Sequence, residues 1–261
     1  MELGGNLIKI IETNLLVNNT QFFGNDIYQK SGGIHAMYSD LTISHSRFDV
    51  RNTSILFHID PDITQLYRSE NHYGGYAYIG PNSTLVSKYN QYKNARSNVG
   101  GCVTVLGAAW ARFYKDSFEK CVGVTGGAIA AIDFKDLTVD KCTFSTQSLQ
   151  NYDQNVAFSG KGESIFAQRF HGTLSVTNSD FAAAMNAVWV EEGRNLVVDN
   201  VEINYKNNLL QPTAFTQQKY GGGFHILNID SIKHFNNVKI KGTKADYGGC
   251  MYLGLDHHFK Q

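Results

Sequence analysis

Residues 126–144 read GGAIAAIDFKDLTVDKCTF, and variants of this stretch recur from one end of the chain to the other. A glycine pair opens a short apolar run, a polar turn follows, and an alternating segment ends in a Ser/Cys-x-Phe motif. The glycine pairs stand at residues 4–5, 32–33, 74–75, 100–101, 126–127, 222–223 and 248–249. Neighbouring pairs are often about 26 residues apart, and degenerate copies fill the longest gap, so the spacing predicts a solenoid of about nine turns.

The alternating segments predict β-strands with one buried face. Residues 41–48, 137–144 and 174–181 each alternate apolar and polar side chains with period two. The loops between strands are too short for a crossover helix, so we expect the strands to stack turn upon turn in one all-β domain over residues 1–261. The glycine pairs are expected to supply positive φ angles and close contact between turns. The phenylalanines expected to stack inside the coil are Phe48, Phe118, Phe144 and Phe181.

Two short motifs carry a resemblance to a known family. Residues 126–129 read GGAI and residues 22–25 read FFGN, a Phe-x-x-Asn motif. Together they resemble the repeats of polymorphic outer membrane proteins and surface adhesins, and the chain is similar to the right-handed parallel β-helices of the pectin-lyase-like superfamily. The resemblance implies a right-handed parallel β-helix, a single-stranded solenoid. Since that superfamily includes pectate lyases and polygalacturonases, polysaccharide cleavage is one of the functions it implies.

Three intervals between repeats are longer than the others, and the added segments are residues 51–71, 145–160 and 205–220. Equivalent turns of a solenoid lie above one another, so insertions at one corner project from one face, which is often a binding face. Aromatic side chains on such loops suit contact with a protein or a glycan. The candidate contact residues are Tyr67, Tyr73, Tyr152, Phe215 and Tyr220. The alternative is that each loop folds back and buries its own aromatic residues.

No catalytic residue is predicted. Lyases of the resembling superfamily hold Ca²⁺ with aspartates beside a basic residue, and the hydrolases use closely set aspartates. The chain contains no Asp-Asp, Gly-His-Gly, Asn-Thr-Asp or Arg-Ile-Lys motif. The acidic pairs, which are interpreted as solvated turn charges, are Asp133 with Asp136, Asp60 with Asp62, and Glu191 with Glu192.

No metal site and no cofactor are predicted either. The 9 histidines show no metal-ligand spacing, apart from the adjacent His257 and His258, whose side chains would point to opposite faces of a strand. His35 and His225 each follow a glycine pair by two residues. Their placement fits equivalent stacked positions in two turns better than a proton shuttle.

The 4 cysteines occupy positions that do not match between neighbouring repeats, so no disulfide is predicted and buried free thiols are expected. Sequons for N-glycosylation begin at Asn18, Asn52 and Asn82. Asn52 lies in the first insertion and Asn82 in a turn, where a modifying enzyme could reach them in a secreted protein. Asn18 lies near a strand and is expected to be less accessible.

Charge and hydropathy exclude some partners. Lysine plus arginine equals aspartate plus glutamate at 23 each, which disfavours nucleic acid as a partner. No run approaches the roughly 18 apolar residues of a membrane span, and the first five residues lack the features of a signal peptide. We expect the chain to be a segment of a longer protein whose signal or anchor lies elsewhere.

Three functions follow from these patterns. The first is a non-catalytic structural or interaction module, a rigid β-helical segment of a large cell-surface or extracellular protein or filament. Such a rod would be on the order of 40 Å long, and its ends would stack on other subunits or neighbouring β-helical segments. The second is a carbohydrate-binding or adhesin module that contacts glycans. The third is a polysaccharide lyase or hydrolase, which rests on fold analogy alone. An intracellular scaffold also stays open, since unpaired cysteines fit a reducing compartment equally well.

Overall fold

The structure is a computed structural model that describes residues 8–23, 33–49, 73–145, 156–157, 161–183, 186–205, 222–242 and 247–255. Over these ranges the chain is an all-β parallel β-helix without α-helix, which confirms the predicted fold class. The strands are β1 (Ile8–Ile11), β2 (Asn14–Asn18), β3 (Gln21–Phe23), β4 (Ile34–Met37), β5 (Asp40–Ser44), β6 (Arg47–Asp49), β7 (Ala77–Ile79), β8 (Thr84–Lys88), β9 (Gln91–Lys93), β10 (Arg96–Val99), β11 (Val103–Leu106), β12 (Trp110–Tyr114), β13 (Ser117–Glu119), β14 (Val122–Thr125), β15 (Ile129–Ile132), β16 (Asp136–Asp140), β17 (Thr143–Ser145), β18 (Val156–Ala157), β19 (Ile165–Thr177), β20 (Asp180–Ala183), β21 (Val188–Tyr205), β22 (Phe224–Lys241) and β23 (Met251–Gly254).

Each coil contributes strands to three faces of the β-helix. The first face stacks β1, β4, β7, β11, β15, the first residues of β19, β21 and β22, and β23. The second face stacks β2, β5, β8, β12, β16 and the middle or later residues of the same long strands. The third face stacks β3, β6, β9, β13, β17, β20 and the last residues of β21 and β22. A shorter ladder contains β10, β14 and β18.

The register confirms the repeat length that the glycine pairs predict. Equivalent residues of adjacent turns, such as Val103 and Ile129, pair in parallel, and side chains bond across turns at a separation of 26 residues. Longer separations occur where β4 pairs with β7, β15 with β19, and β21 with β22, which are the three places of the predicted insertions. All three insertions leave the coil where a third-face strand ends. The turn number of about nine stays a prediction, because part of the chain lies outside the described ranges.

The glycine pairs have the conformations expected of them. Gly126 adopts φ +66°, which L-residues rarely adopt. At Gly101 an added Cβ would collide with the backbone oxygen of Gly127 in the next turn. The pairs therefore allow the sharp turn that precedes each first-face strand and the close stacking of successive coils.

An aromatic stack confirms the predicted phenylalanine column and adds two members to it. Neighbouring rings lie 4.5–5.0 Å apart and within 11° of parallel. The stack contains Phe22, Phe48, Tyr92, Phe118, Phe144 and Phe181. Five of these side chains are at most 1% exposed, so the stack is part of the core.

The predicted strand at residues 137–144 is two strands, β16 and β17, and the single-strand interpretation is wrong. Lys141 adopts φ 55° between them and turns the chain from the second face to the third. The apolar and polar alternation continues through this corner because Cys142, directly after Lys141, is buried like a strand residue. Alternation alone therefore does not reveal the corner.

A column of polar side chains lies inside this corner, next to the aromatic stack. Each side chain accepts a hydrogen bond from the backbone N–H of the equivalent residue one turn earlier. Asn90 Oδ1 accepts from Ser46 N at 2.8 Å, Asp116 Oδ1 from Asn90 N at 2.7 Å, and Ser179 Oγ from Cys142 N at 3.1 Å. These bonds satisfy buried donors that the corner withdraws from the strand pairing.

The expectation that no disulfide forms is wrong, since Cys102 and Cys121 are bonded. Their Cα atoms lie 5.4 Å apart and both residues are fully buried. Cys102 precedes β11 and Cys121 follows β13, so the bond joins two parts of one coil across its interior. The expectation rests on a comparison of equivalent positions in neighbouring turns. Such a comparison does not reveal contacts within one turn. Cys142 is a buried free thiol as expected, whereas Cys250 is free and exposed.

Candidate interaction surface

The corner between the second and third faces carries a column of exposed side chains. Each residue of this corner column is exposed and adopts a left-handed conformation, with φ between 48° and 60°. Its members are Asn19, His45, Tyr89, Lys115, Lys141, Asn178, Asn200 and Asn237. Positive φ is uncommon outside glycine and is enriched in Asn and His, so the tyrosine and lysines are the unexpected members.

The middle of the corner column, together with Tyr114 at the end of β12, forms a cluster of basic and aromatic side chains. We call this cluster the basic corner patch: His45, Tyr89, Tyr114, Lys115 and Lys141. The rings of His45 and Tyr89 stack with centroids 5.0 Å apart, and Tyr114 meets Tyr89 edge-on at 5.6 Å. Lys115 Nζ lies 5.4 Å from both tyrosine rings, and Lys141 Nζ lies 5.4 Å from Tyr114. These distances permit cation–π attraction, which holds the ammonium groups over the rings.

The later part of the corner column is neutral, and its side chains form hydrogen bonds with one another. Asn200 Nδ2 donates to Asn178 Oδ1 at 2.9 Å, and Asn237 Nδ2 donates to Asn200 Oδ1 at 2.7 Å. Asn178 Nδ2 in turn donates to Asp140 Oδ1 at 2.8 Å. This amide ladder stabilises the corner and leaves little hydrogen-bonding capacity for a ligand.

A shallow cleft lies on the outer side of the second face, beside the basic corner patch. It has a volume of about 190 Å³, and its lining residues are Trp110, Ala111, Arg112, Asp136, Thr138, Thr173 and Ser175. Arg112 Cζ lies 4.9 Å from the centre of the Trp110 ring. Trp110, Arg112 and Tyr114 alternate along β12, so the cleft and the patch share one outer surface.

The acidic pair nearest this cleft has structural partners. Arg169 donates to both carboxylate oxygens of Asp133, at 2.6 and 2.8 Å, across one turn. The hydrogen bond from Arg169 lowers the pKa of Asp133 despite partial desolvation. Asp136 Oδ1 accepts the backbone N–H of Thr173 at 2.8 Å. Asp133 is exposed, as the interpretation of solvated turn charges predicts, but that interpretation is wrong for Asp136, which is half-buried at the start of β16.

The same interpretation is wrong for Glu191, which is only 9% exposed. One carboxylate oxygen accepts from Trp189 Nε1 at 2.6 Å and from Lys161 Nζ at 3.3 Å, and the other accepts from Gln168 Nε2 at 3.3 Å. Glu191 and Trp189 are two residues apart on β21 and so lie on the same side of the strand. That two-residue spacing is visible in the sequence, but the sequence alone does not show that β21 includes Glu191. Asp60 and Asp62 lie outside the described residues.

His35 and His225 occupy equivalent positions on the first face, and each pairs with aromatic residues of adjacent turns. His35 pairs in register with Tyr78, and His225 pairs with Trp189 and Tyr252. The rings of Trp189 and His225 are 3.5 Å apart and nearly parallel, and the His225 and Tyr252 rings are 5.1 Å apart. Both histidines therefore occupy stacked positions, as predicted.

Most of the predicted loop contact residues cannot be placed. Tyr67, Tyr152, Phe215 and Tyr220 lie outside the described residues, as do Asn52, His257 and His258. Tyr73 forms an isolated parallel bridge with Val99, and its ring lies 5.7 Å from that of Tyr78.

Two of the sequons lie in the described part of the chain. Asn82 is exposed in the turn between β7 and β8, with φ 51°, as predicted. Asn18 lies in β2, but it is exposed, and its Oδ1 accepts a hydrogen bond from Ser44 Oγ at 2.8 Å. Asn18 is thus exposed like Asn82, but its carboxamide is engaged, and the expectation that a modifying enzyme reaches it less readily stays a prediction.

Sequence reasoning missed the basic corner patch. Its signal was present, because Tyr89, Lys115 and Lys141 follow one another at the repeat spacing and each directly follows an alternating segment.

Among the described residues, no three His, Cys, Asp or Glu side chains are placed to hold a metal ion. The same part of the chain contains no helix long and apolar enough to cross a membrane. No protein-family model, curated protein or solved structure matches the chain.

Proposed function

We propose that the chain is a non-catalytic structural or interaction module, a rigid β-helical segment of a large cell-surface or extracellular protein or filament. The observation that carries the proposal is the continuity of the interior. The aromatic stack runs from Phe22 to Phe181 without a break, and each coil bonds to the next through strands on three faces. Solenoids of this kind resist bending because every turn contacts its neighbours over its whole perimeter.

The disulfide supports the extracellular part of the proposal. Structural disulfides form and persist in oxidising compartments and are rare in the cytosol. Cys102 and Cys121 are fully buried inside one coil, so their bond has to form before or during the closing of that coil. A chain that folds in an oxidising compartment would meet this requirement.

The last described strand supports stacking of the module on another β-helical segment. Met251 and Leu253 of β23 pair with Phe224 and Ile226, which are fully buried in the preceding turn. Met251 and Leu253 occupy the same core columns as these residues, but their side chains are 38% and 57% exposed. A further coil, from another subunit or a neighbouring segment, would cover these apolar side chains and pair with β23.

Sedimentation velocity over a range of concentrations tests this proposal. We expect the purified chain to associate, and the variant Leu253→Lys to associate much less. The matched control is Leu16→Lys, because Leu16 is 69% exposed but lies on the outer side of β2. A native chain that stays monomeric at high concentration, or association that Leu253→Lys leaves unchanged, would contradict end-to-end stacking.

The carboxylates also support a module without catalysis. Asp133 and Glu191 are each held by hydrogen bonds from donors that belong to the fold. A general acid or base instead needs a proton-transfer position open to substrate. Assays of product release from polyuronides test this point: cleavage that is lost in Asp133→Asn or Glu191→Gln would establish an enzyme.

A further inference from the structure

We propose that the basic corner patch binds a sulfated polysaccharide, whose chain lies along the axis of the β-helix. The site consists of Lys115 and Lys141 over the rings of Tyr89 and Tyr114, with the outer cleft beside it. This proposal does not depend on end-to-end stacking of the module, since the patch lies on the side of the rod.

The charge of the patch is not neutralised by its neighbours. Among the described residues, neither Lys115 nor Lys141 forms a salt bridge, and Lys88, which pairs in register with Tyr114, forms none either. Asp140 precedes Lys141 and pairs in register with Tyr114, so its single negative charge offsets only part of the charge of the three lysines. Its Oδ1 already accepts hydrogen bonds from Thr177 Oγ1 and Asn178 Nδ2, both at 2.8 Å. The ammonium groups therefore form a positive row that an anionic partner would complement.

The row is held in place before any ligand binds. Lys115 and Lys141 occupy equivalent corners of successive turns, which lie about 4.8 Å apart along the axis. Their backbone is fixed at φ 53° and 55°, and both ammonium groups lie over tyrosine rings. A fixed array of charges with a short repeat suits a polymer that carries negative charge at regular intervals.

The chemistry of the patch favours a sulfated glycan over other anionic partners. Lysine is a compact point charge that attracts anionic groups, including sulfate. Exposed tyrosine rings provide amphipathic surfaces on which a sugar ring packs. The equal numbers of acidic and basic residues give no long-range attraction for any polyanion, so binding would depend on the short-range contacts of the patch. The patch has no aliphatic side chain to insert into the acyl core of a bilayer, and its tyrosine rings carry polar tips.

The experiment is a binding titration of the full chain with a fluorescent heparin decasaccharide, followed by fluorescence anisotropy. We expect Lys115→Gln/Lys141→Gln to weaken binding by about tenfold, since two exposed charge contacts are lost. The matched control is Lys135→Gln/Lys239→Gln, which removes two exposed lysines away from the patch and is expected to change affinity less than about twofold. Binding should also weaken as salt is added.

Further probes separate the partner classes. The same decasaccharide after desulfation keeps its carboxylates and is expected to bind at least about tenfold more weakly, because most of its charge is gone. Equal affinity for the desulfated form, stronger binding to a single-stranded DNA or to phosphatidylserine vesicles, or indifference to the lysine changes would overturn the proposal. Unchanged circular dichroism and unchanged sedimentation of the lysine variants would show that fold and end-to-end stacking are intact, so the two proposals fail independently.

Discussion

Replacing Asp116 with asparagine should make the protein more stable at neutral and alkaline pH. The Asp116 side chain is 1% exposed inside the corner, and its Oδ2 has no hydrogen-bond partner among the described residues. Burial raises the pKa of Asp116 to about 7, and nearby donors on Ser87, Asn90 and Tyr114 only partly oppose this effect. Above that pH the folded protein holds a poorly solvated negative charge in its core.

The magnitude follows from the two protonation equilibria. The carboxyl titrates near its ordinary value of 3.8 in the unfolded chain and near 7 in the folded protein. Below pH 3.8 the carboxyl is protonated in both the folded and the unfolded protein, so no stability is lost. As the pH rises from the lower value to the upper one, the folded state keeps a proton that the unfolded state releases, so stability falls, and above the upper value the loss is complete. Each pKa unit corresponds to about 1.36 kcal/mol, which gives a loss of up to about 4 kcal/mol.

Asparagine fits this position because the fold already contains one at the equivalent place. Asn90 occupies the same corner one turn earlier, where its Oδ1 accepts from Ser46 N at 2.8 Å. Its Nδ2 donates to Ile43 O and to Ser87 Oγ, both at 3.0 Å. The carboxamide introduced by Asp116→Asn would keep the acceptor for the backbone N–H of Asn90 and could not ionise. The charge is therefore removed without removing the inter-turn hydrogen bond.

The measurement is urea denaturation of the native chain and Asp116→Asn at pH 4, 6 and 8, followed by tryptophan fluorescence. The difference in unfolding free energy should be small at pH 4 and should grow to a few kcal/mol in favour of the variant at pH 8. Asp180→Asn, at an exposed position on the third face, is the control and should show no such growth. A difference that is the same at pH 4 and pH 8, or a variant less stable than the native chain at pH 8, would refute the reasoning.

Three further predictions concern the core and the surface. Mass spectrometry after alkylation of the urea-unfolded chain without reductant should show two modified cysteines, and Cys102→Ala/Cys121→Ala should lower the unfolding free energy by about 3 kcal/mol, since the bond closes a short loop. Phe118→Ala should cost about 3–5 kcal/mol in urea denaturation, because the cavity opens between two stacked rings; a loss below about 1 kcal/mol would argue against a packed stack. Arg169→Ala should change stability by less than about 1 kcal/mol in the same assay, since Arg169 and Asp133 are both 45% exposed and water screens their pairing.

Much of the fold was predictable because it repeats. A period of about 26 residues places Val103 over Ala77 and Ile129 over Val103, so one correct turn determines its neighbours. The phenylalanine stack follows from the same period. Tyr92 occupies the same column although it is not a phenylalanine, and its ring lies 5.0 Å from both Phe48 and Phe118.

The errors share a physical cause, which is that a linear pattern does not reveal where the coil bends. A strand-like alternation runs through Lys141 even though the chain turns there at φ 55°. Without the corners, nothing indicates that Cys102 and Cys121 come within 5.4 Å of each other. For the same reason the sequence predicts an exposed turn at Glu191, whereas the structure places it at the end of a strand segment, where Trp189 and Lys161 donate to it.

The corner column separates what the fold requires from what it leaves free. Histidine, tyrosine, lysine and asparagine all occupy its left-handed positions with nearly the same φ, so the corner geometry does not select the side chain. Asn178 and Asn200 have an evident structural reason, since they hydrogen-bond to each other along the ladder. Lys115 and Lys141 lie over tyrosine rings, and this attraction partly offsets the repulsion between two like charges in adjacent turns. Exposed cation–π contacts contribute about 0.5–1 kcal/mol each, so the fold supplies only a weak attraction for these charges, and a partner such as the sulfated polysaccharide proposed above would supply a stronger one.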